Sequence, residues 1–526
     1  MRNPCARQGL LRRDYDRCRH RCGTALGRVD RSHRGRCAGA AIGDRRTSDV
    51  QRVPGRATRH HRRQRQKARG QGNAARLHGA PLSHGFPRLF RDLAEAGTVS
   101  APNTLTAVAA ARAIASGVLK AEALVRACLD RIAARESIVG AWTHLDETGA
   151  IAAARRVDRG EVKGLLAGVP VGIKDLIDTA DMPTGYGSPI YAGHRPAWDA
   201  ACVTQVRRAG GIVLGKTVTT EFATFTPGKT ANPHNPRHTP GGSSSGSAAA
   251  VGDHMVPLAF GTQTAASVTR PSSFCGAVGY KATTGSYSLA GIKSLSPSFD
   301  TLGVIARSVG DAALMRSVLL GSPDVLCEAA PAAGALRIGV CRTPWWDAAD
   351  PSTRQAVETA ADRFAKAGHR VRDAKLPPEF AALVDAHKAI MGFEAARALA
   401  DEHSRHRDKI SAGLLQILDG GLAMTHASYV AACAQAGAAR HKLRQVFDGF
   451  DCLLAPSAMG EAPAGLNATG DPLFSRMWTL LYVPSLTLPG LTGPQGLPVG
   501  VQIICPRGAD ERLMAIGVRL ESIVRG

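Results

Sequence analysis

Residues 239–250 read TPGGSSSGSAAA, a run of glycine, serine and alanine in the middle of the chain. Taken alone, such a run is typical of a flexible linker. Apolar segments with the character of buried strands lie on both sides of it, however. The role of this run therefore decides both the fold and the function that the sequence predicts.

The surrounding pattern predicts an α/β fold. Apolar residues at a spacing of three to four indicate two amphipathic helices near residues 104–117 and 120–136, with Gly117 between them. Further helices are expected at 312–321, 353–367, across most of 378–450, and from Asp510. Strands are expected within 164–178, 210–218, 336–341, 451–457, 484–490 and 498–504. Because strands and helices alternate to the end, we predict a single large domain, a mixed twisted β-sheet flanked by helices.

Two short motif matches lack the structural context that their functions need. Gly210, Gly215, Lys216 and Thr217 fit the phosphate-binding loop pattern, but the residues between the glycines favour a buried strand. Gly242 to Gly246 fits G-x-S-x-G and nominates Ser244 as a nucleophile. The residues before it contain three prolines and no strand, so we do not adopt either assignment.

A set of motifs in matching order carries a stronger signal. GVPVGIKD (168–175) contains Lys174, the serine run contains Ser243, and GTQTAASVTRPSSFCG (261–276) contains Ser267, 24 residues after Ser243. These three motifs resemble those of the amidase signature family of Ser-Ser-Lys amidohydrolases. The resemblance continues through GKTVTTEFA (215–223) and residues 293–314, 474–489 and 496–514. The resemblance covers residues 103–526, the predicted amidase domain.

The resemblance implies roles for individual residues. Ser267 is expected to attack the amide carbonyl, and Ser243 to relay its proton to Lys174. The backbone N–H groups of Thr264, Ala265, Ala266 and Ser267 are expected to form the oxyanion hole, and the Gly242–Ser243 peptide bond is expected to be cis. No cofactor and no metal ion is implied.

The chemistry explains why such residues are needed. A serine hydroxyl is a poor nucleophile until a base takes its proton, and a lysine can be that base only when it is neutral. Model lysine titrates at about 10.4, and burial favours the neutral amine. Lys174 lies in an apolar segment that can provide this burial.

The sequence departs from the family pattern at three positions. Ala265 and Ala266 stand where the family usually has glycines, and an alanine forced to positive φ costs on the order of 1–2 kcal/mol. Gln263 stands where many relatives carry Asp. These changes leave open a catalytically weak amidase-like protein.

The sequence constrains the identity of the substrate less than it constrains the catalytic residues Lys174, Ser243 and Ser267. We predict hydrolysis of an amide or urea-type carbon–nitrogen bond, with a small-molecule amide as substrate. Met477, Trp478, Tyr482 and the loop at 181–188 are candidates for the pocket that holds the acyl group. The alternative is a glutamine-dependent amidotransferase A-type subunit, which has the same triad and passes ammonia to an acceptor held by a partner. A homodimer is left open.

The N-terminal region has a different composition. Residues 1–91 contain 24 Lys and Arg against 5 Asp and Glu, whereas the remainder contains 42 against 38. We predict a disordered basic leader over residues 1–95, since it has too few apolar residues to offset chain entropy. It is interpreted as a non-native upstream extension, a nucleic-acid-binding arm or an organelle transit peptide. Apart from this leader, no nucleic-acid partner is expected.

The composition indicates in which cellular compartment the protein functions. No run of 18 apolar residues occurs, so no membrane span is predicted. The twelve cysteines are scattered, and Cys18 and Cys22 are only a weak hint of zinc because no second ligand pair follows. We therefore predict a cytoplasmic enzyme.

Overall fold

A computed structural model of the chain describes residues 101–322 and 334–526. In these residues, eleven strands form one sheet in the order β1-β3-β2-β4-β6-β5-β10-β11-β9-β7-β8. The strands are β1 Trp142–Leu145, β2 Pro170–Lys174, β3 Ile212–Thr217, β4 Leu258–Gln263, β5 Val278–Lys281, β6 Thr301–Ala306, β7 Arg337–Val340, β8 Arg370–Asp373, β9 Cys452–Pro456, β10 Ser485–Thr492 and β11 Pro498–Ile504. Parallel and antiparallel pairs both occur, so the prediction of a mixed sheet is confirmed.

Helices cover both faces of this sheet. They are α1 Ala107–Ala115, α2 Ala121–Val139, α3 Glu147–Asp158, α4 Ala201–Arg208, α5 Ser245–Gly252, α6 Thr269–Cys275, α7 Val309–Leu320, α8 Pro351–Lys366, α9 Leu383–Ala398, α10 Ala400–Arg405, α11 Ala412–Ala423, α12 His426–Val446, α13 Leu473–Leu480 and α14 Asp510–Arg525. In the described part of the chain, no helix has both the length and the apolar character needed to cross a membrane.

The central strands are buried on both faces. Alternate residues of a strand point to opposite faces of a sheet, so neighbouring residues of β4 pack into different apolar clusters. Leu258 and Phe260 belong to one apolar cluster, whereas Ala259 between them belongs to another that includes residues of α2 and α5. A third cluster joins α9, α12 and α13. The same burial on both faces explains the near-continuous apolar runs that predicted β2 and β3.

Most predicted elements have counterparts in the structure. The two N-terminal helices correspond to α1 and α2, and Gly117 between them has φ of +78°. Five strands had no prediction: the short edge strands β1 and β8, with the sequences WTHL and RVRD, and the central strands β4, β5 and β6. The prediction for the leader at 1–95 lies outside the described residues.

The sheet brings the predicted site residues to one edge. β2 and β4 are parallel neighbours, so their carboxyl ends lie side by side. Lys174 is the last residue of β2, and Gln263 is the last of β4, four residues before Ser267. Open α/β sheets commonly bind ligands at this edge.

Candidate active site

Lys174 is fully buried at the end of β2. Its Nζ donates hydrogen bonds to Ser243 Oγ at 2.7 Å and to Thr262 Oγ1 at 2.8 Å. No carboxylate of the described residues forms an ion pair with it, although Asp300 acts on it from farther away. Burial lowers the pKa of Lys174 to about 7, and the charge of Asp300 opposes that shift. A substantial fraction of this amine is therefore neutral at pH 7.

Ser243 is held in place through its backbone. The Gly242–Ser243 peptide bond is cis, as the family resemblance implies. Arg270 Nη2 donates to the Gly242 carbonyl at 2.7 Å, and the Thr220 amide donates to the Ser243 carbonyl at 3.2 Å. These contacts fix both peptide carbonyls, and the Oγ of Ser243 is thereby directed to Lys174.

The serine run is a folded part of the core. Ser244 Oγ contacts the backbone of Thr262, Ser245 Oγ donates to the Val218 carbonyl at 3.3 Å, and Ser247 Oγ donates to the Phe260 carbonyl at 2.8 Å. All three serines are buried. A flexible linker has no such partners, so the run is a packed connection that leads into α5.

Ser267 lies in the turn between β4 and α6, and it lines a cavity. Residues 264–267, the loop residues 223–225 and Arg270 form part of its wall. The Ser267 carbonyl accepts a hydrogen bond from the Ser244 amide at 3.3 Å, which ties this turn to the serine run. Within the described residues, the backbone amides of 264–267 have no hydrogen-bond acceptor. They are free to bind a developing oxyanion.

Gln263 fixes the shape of this turn. Its Oε1 accepts from the Val268 amide at 2.9 Å and the Thr269 amide at 3.1 Å, and its Nε2 donates to Thr479 Oγ1 at 3.1 Å. A carboxylate at this position has no N–H group to donate to Thr479. Ala265 and Ala266 do not have positive φ, so the expected conformational penalty for alanine does not arise.

Lys216 and Ser244, the residues of the two rejected motifs, are buried in structural roles. Lys216 is on β3 and forms an ion pair with Asp175 at 3.1 Å. Ser244 immediately precedes α5, with its hydroxyl engaged by the backbone of β4. Lys216 is fully buried on a strand, and Ser244 is not among the residues that line the cavity beside Ser267.

A family model described as Amidase matches residues 123–514. The chain belongs to the amidase family. The A-type subunit of the glutamyl-tRNA(Gln) amidotransferase of Acidothermus cellulolyticus is 35% identical over 477 residues, which is 80% of this chain and 94% of that protein. Its counterpart from Salinispora arenicola is 33% identical over 482 residues, covering 80% and 97%.

Solved structures of this family share the fold. A native peptide amidase from Stenotrophomonas maltophilia superposes with a TM-score of 0.68 at 28% identity, covering 80% of this chain and 97% of that chain. A vestigial protein complex related to the origins of an s-triazine catabolic enzyme gives a TM-score of 0.74 at 27% identity, covering 80% and 98%. The amidase fold therefore extends over the described domain.

Helix α13 presents a polar face to the site of this amidase-family protein. The hydroxyl of Ser475 contacts that of Thr269, and Arg476 contacts His387. Thr479 donates to the Ala265 carbonyl. These three positions share one side of a helix.

The three residues predicted for the acyl pocket do not line the cavity beside Ser267. Met477 and Trp478 are instead buried in the apolar cluster of α9, α12 and α13, because they lie on the other side of α13. Tyr482 packs against that cluster, with the Arg440 guanidinium 3.6 Å from its ring centroid. Of the predicted 181–188 loop, Tyr186 lines a second cavity together with Lys293.

Several residues of the amidase site were not predicted from the sequence. Thr262 supplies the second contact of Lys174, and Asp300 accepts from Thr264 Oγ1 at 2.6 Å. His387 Nε2 contacts the Thr264 carbonyl at 2.8 Å, and burial lowers its pKa to about 3, which keeps its imidazole neutral. Thr262 and Asp300 lie within the quoted stretches 261–276 and 293–314 and could have been found. His387 comes from a helix more than a hundred residues away, where no local pattern marks it.

Proposed function

We propose that this protein cleaves the carbon–nitrogen bond of an amide by transferring the acyl group to Ser267. The observation that carries the proposal is the 2.7 Å contact between the buried Lys174 Nζ and Ser243 Oγ. A buried lysine without an ion-pair partner is costly, and it is expected mainly where its chemistry is used.

The proposed reaction begins with the neutral form of Lys174. The Ser243 hydroxyl donates its proton to Nζ and accepts one from the Ser267 hydroxyl, while Ser267 Oγ forms a bond to the amide carbon. The carbonyl oxygen takes the negative charge. A single donor to such an oxyanion typically contributes about 3–4 kcal/mol, and the unoccupied amides of 264–267 are the candidate donors.

The second half of the reaction reverses the proton path. As the carbon–nitrogen bond breaks, the Lys174 ammonium returns its proton through Ser243 to the departing nitrogen, and ammonia or an amine leaves. Water then attacks the Ser267 ester with the same relay as base. The ester carbon–oxygen bond breaks, a carboxylic acid is released, and Ser267 regains its proton.

A second candidate function is that of an amidotransferase A-type subunit. It is favoured by curated relatives that are 31–35% identical over 74–80% of this chain and are named as A-type subunits of glutamyl-tRNA(Gln) amidotransferase. In that case the acyl donor is glutamine, and the ammonia passes to an acceptor on partner proteins. The free thiols of the described cysteines fit a reducing cytoplasm in either case.

The test is ammonia release by the isolated full chain. We would assay a panel of primary amides, glutamine among them, for the natural protein and for Ser267→Ala. We expect turnover without any partner or ATP, and loss of that turnover in Ser267→Ala. Glutamine turnover that requires added partner proteins, with no turnover of other amides, supports the second candidate. Equal turnover by Ser267→Ala contradicts both.

A further inference from the structure

The turn between β4 and α6 has an uneven distribution of hydrogen bonds. Each carbonyl of residues 264–267 has a hydrogen-bond partner, whereas their amides have no acceptor in the part of the chain that the structure describes. The backbone amides of Arg270 and Ser244 hold two of these carbonyls, at 3.0 Å and 3.3 Å. The side chains of His387 and Thr479 contact the other two, each at 2.8 Å.

The partners of these carbonyls decide where the amides point. The peptide bonds of the turn are trans, and in a planar trans peptide unit the carbonyl and the amide point in opposite directions. The partner of the Thr264 carbonyl therefore sets the direction of the Ala265 amide. Residues 264–267 line the cavity, so amides that point away from these partners can reach a ligand there. An oxyanion is stabilised most by donors that already point to the place where the charge develops.

His387 holds the Thr264 carbonyl from helix α9. Its side chain is fully buried, and its ring stacks on Phe299 with centroids 4.6 Å apart and an angle of 7° between the planes. Asp300, the residue after Phe299, accepts from Thr264 Oγ1 at 2.6 Å. Met391, one turn later in α9, lines the cavity. His387 itself is not one of the described residues that line this cavity, so it acts on a ligand through Thr264.

Two contacts select one tautomer of His387. Arg476 Nη1 lies 3.1 Å from Nδ1, and a guanidinium can only donate, so Nδ1 is the acceptor. Nε2 lies 2.8 Å from the Thr264 carbonyl, which can only accept, so Nε2 carries the proton. Burial and the charge of Arg476 lower the pKa of His387 to about 3. The imidazole therefore stays neutral over the pH range in which Lys174 titrates.

We propose that His387 is a positioning residue of the amidase reaction, and that Arg476 selects the tautomer that this role needs. The Nε2–H group of His387 holds the Thr264 carbonyl, and the Ala265 amide is thereby directed to the oxygen of the carbonyl group that is attacked. The role needs an N–H donor at the place of Nε2, and no proton is transferred to or from the ring. This inference rests on the proposed function, because it concerns the oxyanion that forms when Ser267 attacks.

The first test separates the donor from the ring. His387→Phe keeps an aromatic ring against Phe299 and removes the donor. For the amide that the natural protein cleaves fastest, we expect kcat to fall about tenfold to a hundredfold while KM changes less than about threefold, because the lost interaction is made in the transition state. His369→Phe is the matched control, since His369 is also buried and accepts from the Leu336 amide at 3.2 Å. It should leave kcat unchanged.

A second pair of variants does not depend on an aromatic ring at this position. Glutamine and methionine have unbranched side chains of similar length, but only glutamine has an N–H group that can replace Nε2–H. We expect kcat of His387→Gln to exceed that of His387→Met by at least about tenfold. Equal kcat values in these two variants overturn the inference.

The pH profile separates this role from a general loosening of the site. In His387→Phe, the plateau of kcat/KM should fall while its acidic limb stays at the pH of the natural protein. A substitution that admits water to Lys174 would weaken the effect of burial on its pKa, and the limb would then move to higher pH. A loss of kcat accompanied by that movement gives His387 a structural role and overturns the inference.

The rate of fluorophosphonate labelling keeps this inference separate from the proposed function. Attack of Ser267 on the probe places negative charge on the phosphoryl oxygen, so labelling uses the same donors but needs no amide turnover. Labelling that is slower in His387→Phe than in His387→Gln, in a protein that cleaves no amide, supports the positioning role and contradicts the hydrolase. Turnover that is lost in Ser267→Ala but unchanged in His387→Phe supports the hydrolase and overturns the positioning role.

Discussion

At the scale of single residues, the site depends on how the protein surrounds Lys174. The side chain is inaccessible to solvent, and its contacts are two hydroxyl groups. Hydroxyl groups can exchange donor and acceptor roles with an amine, whereas a carboxylate would hold the lysine in its charged form. That no carboxylate of residues 101–322 and 334–526 forms an ion pair with Lys174 therefore matters as much as its two hydroxyl contacts.

The first residue-scale prediction concerns the pH profile. Lys174 must be neutral to accept a proton, and its pKa is lowered to about 7 by burial. We expect kcat/KM to rise with pH to a plateau above about pH 7, and to fall on the acidic side about tenfold per pH unit. Stopped assays in buffers of constant ionic strength measure this profile. A profile that is flat from pH 5 to pH 9 contradicts Lys174 as the base.

The second residue-scale prediction concerns Asp300. The negative charge of Asp300 raises the pKa of Lys174, so its removal should lower that pKa. In Asp300→Asn, we expect the acidic limb of the kcat/KM profile to move to lower pH. Asp311→Asn, a buried aspartate on α7, is the matched control and should leave the limb in place. A shift to higher pH in Asp300→Asn contradicts the assigned electrostatics.

At the scale of elements, α5 begins two residues after Ser243, so its packing fixes where Ser243 lies at the edge of β2 and β4. This requires close contact between the first turn of α5 and the end of β3. A Cβ on Gly246 would lie 2.2 Å from the Ala141 carbonyl oxygen and 2.4 Å from the Val218 amide nitrogen. Both atoms belong to the backbone, so they cannot move aside as a flexible side chain can.

The element-scale prediction compares two glycines in helices. Gly246→Ala should lower the free energy of unfolding by about 1–3 kcal/mol or more, because the clash separates α5 from β3. Gly437→Ala in α12 meets nothing within 4 Å and should raise it by about 0.5–1 kcal/mol. Urea unfolding of both variants measures the difference. Equal effects would contradict the packing of α5.

Sequence reasoning succeeded for elements with a strong local pattern and failed where distant segments meet. The apolar runs of β2 and β3, and the ordered motifs around Lys174, Ser243 and Ser267, could be identified locally. The cavity wall could not, because Arg270, Leu295, Met391 and Pro472 come from four separate segments. The polar face of α13 was not predicted either. The aromatic side chain of Trp478 made it a candidate for the acyl pocket, whereas Arg476 and Thr479 are the residues that face the site.

At the scale of the whole molecule, the chain combines a nearly neutral body with a strongly basic N-terminal region. The proposed amidase domain spans residues 103–526, and the site residues all lie within it. The sheet, its helices and the cavity are assembled from residues of this range. The amidase family match at 123–514 also falls inside it.

The prediction at this scale is that residues 1–91 are dispensable for the chemistry. A chain that begins at residue 92 should keep the thermal midpoint and the kcat/KM of the full chain, while losing most of the salt-dependent binding to DNA that 24 basic residues can give. Calorimetry, amide turnover and a DNA titration at several salt concentrations check the three parts. A large loss of turnover would show that the leader contributes to the amidase site.

The central claim is that Ser267 is the nucleophile and that Lys174 activates it through Ser243. Labelling with a fluorophosphonate, followed by peptide mass spectrometry, tests it most directly. We predict a single serine adduct on Ser267, no adduct in Ser267→Ala, and labelling slowed by at least about a hundredfold in Lys174→Ala. An adduct on Ser244, or labelling of Ser267 at the natural rate in Lys174→Ala, would contradict the account.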